Sequence, residues 1–109
     1  TEPNAIKFER FIFDLMPATR RGIIVQVNPR QAFAPLKNSL GSPTDSPELV
    51  QAQMSALFAD WVRSAGAQVD DGVLVEISPL YALDAEELRS KIPPDTHLSE
   101  DTYLVDESV

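Results

Sequence analysis

Ile6, Phe8, Phe11, Ile12, Leu15 and Met16 follow one another at spacings of two to four, which draws a broad apolar stripe on a helix from about Ala5 to Ala18. Asn4 stands where a capping side chain belongs, and Pro17 ends or kinks the helix. Arg20 and Arg21 then lie near the exposed carbonyls of its C-terminal end, with Gly22 as a left-handed cap. Ile23, Ile24, Val25, Gln26 and Val27 form a short, largely β-branched run that reads as a buried strand closed by Asn28-Pro29.

From Arg30 to Asp45 the pattern breaks down around Pro35, Gly41 and Pro43, which predicts a long ordered loop, and loops of that length in compact domains are often functional. Ser46-Pro47-Glu48 is a helix start: a capping hydroxyl, proline in the first turn and a carboxylate at the positive end of the dipole. Val50, Met54, Leu57, Phe58, Trp61, Val62 and Ala65 keep the helical period until Arg63 and Gly66 close it, so a helix over about 46-65 is the firmest expectation in the chain. Asp70-Asp71-Gly72 between Ala67-Val69 and Val73-Ile77 signals a hairpin. Asp84 with Glu87 makes a capping box for a short helix that stops before Pro93-Pro94, and Tyr103-Val105 reads as a last strand. The expected core packs Leu57, Phe58, Trp61 and Val62 against a sheet containing Ile23-Val27 and Val73-Ile77, with Met54 at a core position too.

At 109 residues and 43% hydrophobic the chain has the apolar mass of one small domain or a piece of a larger one. With no cysteine and a single histidine, it has no parts for disulfide scaffolds, zinc knuckles or thiol nucleophiles. It has no apolar run long enough to span a bilayer and no basic-then-apolar leader, which points to a soluble cytoplasmic protein. The charges are polarised: residues 1-40 carry a net +3 and residues 41-109 a net -11, together the -8 of the whole. The acidic part repels nucleic acid and anionic membranes, and the basic first third could face an anionic small molecule, although charge counts alone favour plain solvated faces.

The adjacent carboxylates Asp70/Asp71 and Glu86/Glu87 fall in turn and helix-start contexts, where solvation and capping account for them, and His97 sits in a polar tail with no ligand partner nearby in sequence. The informative feature is Phe33-Ala34-Pro35-Leu36-Lys37-Asn38, an apolar hook ending in a lysine. A lysine so held could present its ammonium to a phosphate as a point charge, but composition alone favours an ordinary exposed lysine after a packed Phe/Leu pair.

Three blocks carry a resemblance. Pro3-Asn4-Ala5-Ile6-Lys7-Phe8-Glu9-Arg10-Phe11-Ile12-Phe13-Asp14 is similar to the P-N-G-I-K-[LMF]-E-[KQ]-F-[VI]-F-D motif of the eukaryotic-type UDP-N-acetylhexosamine pyrophosphorylases. Phe33 to Asn38 resembles their F-[SA]-P-L-K-N loop, and Glu76-Ile77-Ser78-Pro79-Leu80 with Tyr81 resembles E-I-S-P-L-x-S-Y. The order and separation of the blocks across residues 3-92 agree with the family. Ala5 in place of glycine, a shortened stretch around Asp70-Gly72 and the tail beyond Pro93 depart from it.

The resemblance implies a doubly wound α/β nucleotidyltransferase domain followed by a small α+β domain. Residues 1-40 would be the C-terminal edge of the former and 41-109 the acidic latter. It implies joining of an N-acetylhexosamine 1-phosphate to UTP with release of pyrophosphate, assisted by Mg2+. The family's glycine-rich nucleotide loop and metal-binding aspartate lie in its N-terminal part and have no counterpart here, so no metal ligand is assigned. The chain, which begins at Thr1 without a methionine, is accordingly read as a C-terminal part that would not turn over alone and would need the remainder of its catalytic domain. Lys7 and Lys37 correspond to family lysines facing phosphates, Lys37 being the catalytic candidate, and Phe11 and Phe13 to aromatics near the N-acyl pocket, Phe13 ahead of Phe11. The competing readings are a non-catalytic interaction module with the same fold and a UDP-glucose or broad-specificity UDP-sugar pyrophosphorylase.

Overall fold

The computed structural model describes residues 2 and 4–106; Thr1 and Pro3, the latter the first residue of the N-terminal motif, lie outside the described residues. The order is a 3₁₀ helix Ile12–Ala18, α1 Pro29–Ala32, α2 Pro47–Ser64, β1 Gln68–Val69, β2 Val75–Ile77, α3 Ala85–Lys91, β3 His97–Leu98 and β4 Thr102–Leu104. The chain is thus a mixture of helices and small parallel sheets, as an α+β reading requires.

Helix α2 forms where the pattern predicts a helix. Pro47 opens α2 in its first turn, Glu48 sits at the positive end of the helix, and Gly66 at φ +95° turns the chain out of it. One departure concerns the cap: the Ser46 hydroxyl accepts no backbone hydrogen bond and instead donates to the Glu48 carboxylate. Ala59 and Val62 on α2 meet Val75 and Ile77 on β2 and Leu88 on α3 in a buried core that also takes Ile92 and Leu98. Trp61 is half-buried against this core, its ring edge-on to Phe58 at 5.4 Å between centroids. Leu57 is half-buried, whereas Met54 is exposed, a correction to its core assignment.

The hairpin expected around Asp70-Gly72 does not form. Gly72 does turn with φ +83°, but β1 pairs in parallel with β3 (Gln68↔His97, Val69↔Leu98) and β2 with β4 (Val75↔Thr102, Ile77↔Leu104). Parallel partners require a crossover, and α3 supplies it. Its start is a capping arrangement in which Glu87 N–H donates to Asp84 Oδ1 at 2.8 Å, while the Glu87 carboxylate accepts from Leu83 N–H at 2.8 Å. The anticipated last strand is β4, one residue earlier than read.

Residues 4–28 depart most from their pattern. In place of a helix from Ala5 there is only the 3₁₀ helix, with Pro17 inside it and no buried residue. Ile23 to Val27 form no strand and are exposed, Gly22 is not left-handed, and Asn28-Pro29 starts α1 rather than closing a strand: Asn28 Oδ1 accepts from Arg30 N–H at 3.1 Å. The expected sheet containing Ile23-Val27 is therefore replaced by the pairings of residues 97–104. An apolar stripe forms a helix when something covers it, and here Phe8 is 92% and Ile24 91% exposed. The total accessible surface is 9437 Å² for a 12.0 kDa chain. A compact protein of that mass exposes only about 6,000 Å².

Candidate functional site

The hook from Phe33 to Asn38 is held at several points. Lys37 N–H and Asn38 N–H both donate to the Asp45 carbonyl at 3.0 Å, and the Asn38 amide donates to the Thr44 carbonyl at 2.8 Å. Asp45 turns its carbonyl toward them with φ +51°, a left-handed conformation that aspartate tolerates better than most residues. Gly41 N–H donates to Glu48 Oε1 at 3.0 Å. The Glu48 carboxylate also accepts from its own backbone N–H and from Ser46, and these bonds, the backbone one foremost, hold its pKa below the usual glutamate range. On the other side, the Gln53 amide of α2 donates to the Phe33 carbonyl at 2.8 Å and the Arg30 carbonyl at 3.2 Å.

The result is a loop clasped onto α2 with the side chain of Lys37 on its outside. Lys37 is exposed, and its ammonium has no hydrogen-bond or ion-pair partner among the described residues. A cation in that state is available to an anionic ligand. Beneath the loop lies a depression of about 330 Å³ lined by Pro35, Pro43, Leu49, Val50 and Gln53 among others.

Lys7 is exposed and pairs with Glu9 two residues on. Phe11 and Phe13 are 58% and 68% exposed. Phe13 joins Ile12, Met16, Thr19, Gly22 and Ile23 around an open depression of about 480 Å³, and Phe11 does not line it. Lys7, Phe11 and Phe13 thus lie on the exposed N-terminal segment, and none of their hydrogen bonds or ion pairs, among the described residues, ties them to the Lys37 loop.

A larger groove of about 520 Å³ runs between α2 and the β2–β4 sheet, lined by Leu36, Val50, Met54, Phe58, Leu74 and Tyr103. Its charged residues are Glu76 and Asp101, so it repels phosphate. The Glu76–Tyr81 motif forms the end of β2 and a turn in which Ser78 Oγ accepts from Leu80 N–H at 3.2 Å, a structural role. Glu87 accepts from Lys91 Nζ at 2.7 Å, which with the Leu83 bond lowers its pKa. His97 has the partner its sequence surroundings did not show: Nε2 lies 2.8 Å from Asp70 Oδ1, the two brought together by the β1–β3 pairing. Among the described residues no three His, Cys, Asp or Glu side chains form a metal-ligand group, and no helix is long and apolar enough to cross a membrane.

No protein-family model matches the chain. It is 43% identical over 91 residues to the UDP-N-acetylglucosamine pyrophosphorylase of Saccharomyces cerevisiae, a match covering 81% of the chain and 19% of that protein. A probable UDP-N-acetylglucosamine pyrophosphorylase of Dictyostelium discoideum is 31% identical over 101 residues, 90% of the chain and 21% of its own length. UDP-N-acetylhexosamine pyrophosphorylase-like protein 1 of Mus musculus is 28% identical over 105 residues, 80% and 21% respectively. The chain spans about a fifth of the length of these curated relatives.

Proposed function

Because this chain belongs, over the stretch it matches, to the UDP-N-acetylhexosamine pyrophosphorylase family, we propose that it is the C-terminal part of a uridylyltransferase that makes a UDP-N-acetylhexosamine and pyrophosphate from UTP and an N-acetylhexosamine 1-phosphate. The observation that carries the site is the clasped loop that leaves the Lys37 ammonium exposed and uncommitted.

In this reaction an oxygen of the sugar phosphate attacks the α-phosphorus of UTP, the bond from that phosphorus to the bridging oxygen breaks, and pyrophosphate departs. The protein need supply no nucleophile: orientation and positive charge on the crowded phosphates do the catalysis. Lys37 is the cation on those phosphates and Lys7 a second one. Phe13, and Phe11 as the second candidate, border the N-acyl group. Mg2+ serves the whole enzyme. Among the described residues no three His, Cys, Asp or Glu side chains form a ligand group for it, and its ligands would lie in the family's N-terminal part.

Residues 1–40 would then be the edge of the doubly wound catalytic domain and 41–109 the small acidic domain. The exposed apolar residues from Ile6 to Val27 support this, since they are the surface that the remainder of the catalytic domain would cover. Taken alone, the chain is inactive, and the protein works in the cytoplasm without membrane or nucleic acid.

The test is uridylyl transfer from UTP to N-acetylglucosamine 1-phosphate by the full-length protein, with Lys37→Ala beside wild type at matched folding. Loss of a transition-state cation lowers kcat/KM by roughly two to four orders of magnitude. Near-wild-type turnover in the variant removes Lys37 from the chemistry; absence of turnover in the full-length wild type favours the non-catalytic module, and preference for glucose 1-phosphate the broader UDP-sugar enzymes.

A further inference from the structure

We propose that Gln53, on α2 and outside the three motifs, is a positioning residue for Lys37, an inference that rests on the uridylyltransferase reading and adds a residue to its machinery. Gln53 Nε2 lies 2.8 Å from the Phe33 carbonyl, 3.2 Å from that of Arg30 and 3.5 Å from that of Pro29. An amide nitrogen has two hydrogens, so Phe33 and Arg30 receive them and Pro29 sits at the margin.

Among the described residues the Arg30 and Phe33 carbonyls take no backbone donor, whereas that of Pro29 already accepts from Phe33 N–H at 2.9 Å. α1 is a single turn of four residues, far below the dozen or so at which a helix holds itself in water, and its last carbonyls have no helical partners. Gln53 supplies the missing donors from a helix that is itself fixed, because Ala59 and Val62 anchor α2 in the core. Phe33, the residue so held, is extended at φ −144° and begins the hook. Between it and Lys37 stand Ala34, Pro35 and Leu36, and the proline ring locks one of the few remaining backbone torsions. The far side of Lys37 is clasped by the Asp45 carbonyl. The ammonium therefore swings from a backbone pinned on both sides, and the pin nearer α1 is Gln53.

A phosphate-binding cation displaced by an ångström or so loses roughly a hundredfold in rate, which sets the scale of the effect. In the full-length enzyme, with UTP and N-acetylglucosamine 1-phosphate as probes, kcat and KM are compared for wild type, Gln53→Met, Lys37→Ala and the double variant. Methionine keeps the unbranched shape and helix propensity and removes the donors. The expected result is a fall in kcat of roughly ten- to a hundredfold for Gln53→Met with an unchanged melting temperature, and a double variant no worse than Lys37→Ala alone, because a residue acting through Lys37 has nothing left to position. Losses that multiply, a wild-type kcat in Gln53→Met, or a kcat that falls only in step with the melting temperature overturn the inference. If Lys37→Ala is impaired and Gln53→Met is not, only this inference fails; if Lys37→Ala is itself as active as wild type, the role of Lys37 falls with it. Should Gln53→Met not fold, Gln53→Glu, which aims carboxylate oxygens at the same carbonyls, is read by the same criteria.

Discussion

Ser55→Ala isolates one bond between α2 and the sheet. Val75 N–H donates to Ser55 Oγ at 2.9 Å, and both residues are buried. The bond exists because β2 has, among the described residues, a strand partner on one side only: Thr102 N–H donates to the Leu74 carbonyl and Asp101 Oδ1 accepts from Leu74 N–H, so the Val75 amide points away from β4 and toward the helix. Removing the hydroxyl leaves that amide without a partner at a position 1% exposed, which costs about 1–3 kcal/mol. Alanine returns up to about 0.5 kcal/mol as the better helix former. The net loss is about 0.5–2.5 kcal/mol, and at a urea m-value of about 1.5 kcal/mol/M the midpoint falls by roughly 1 M for a loss near the middle of that range. Trp61 is the single tryptophan and lies on the same helix, half-buried against Phe58, so its fluorescence follows the transition. Amide exchange at Val75 should quicken in parallel. An unchanged or higher midpoint with undiminished Val75 protection would refute the reasoning, since helix propensity would then outweigh a bond the strand does not need.

In the full-length enzyme Lys37→Arg should recover only part of the activity lost in Lys37→Ala, because the guanidinium fork has a different reach, and Lys7→Ala should reduce kcat/KM by less than Lys37→Ala; full recovery with arginine would show that charge alone matters. Phe13→Gly should admit bulkier N-acyl groups on the sugar phosphate, measured as a change in relative kcat/KM across an acyl series, and an unchanged series in a folded variant removes that role. Glu48 and Glu87 both have pKa values lowered by the hydrogen bonds they accept, so the stability they contribute is complete above the ordinary glutamate range and is lost as pH falls through their folded values. Melting temperature should therefore drop on acidification in that window, less steeply in Glu87→Gln, and identical profiles would exclude Glu87 as a contributor.

How far the chain could be read depended on the range of the interactions. α2 was legible because cap position, proline, period and closing glycine all lie within one local stretch. The Asp84 cap was legible for the same reason. Asp70-Gly72 announced a turn correctly, yet the strands beside it find partners beyond α3, and nothing local distinguishes a hairpin from a crossover. His97 looked solitary because Asp70 reaches it only through that crossover. The Ala5–Ala18 stripe and the Ile23–Val27 run have the composition of buried elements, but their cover is not among the described residues, so propensity had no packing to act with. At the site, the hook and Lys37 stood out as a motif. Gln53 did not, since a glutamine on an amphipathic helix signals nothing until its amide is seen against three carbonyls.

The crossover has a consequence for synthesis. A ribosome delivers α2, β1 and β2 before it has made β3 and β4, the segments that complete both parallel pairs. During that interval the nascent polypeptide carries open strand edges and apolar side chains such as Val75 and Ile77 with half their cover missing. A premature stop codon or a frameshift between β2 and β3 leaves the product permanently in that condition, even though every residue of the Lys37 loop has been translated. Lesions near residue 97 should therefore act on abundance, through aggregation and proteolysis, rather than on the chemistry.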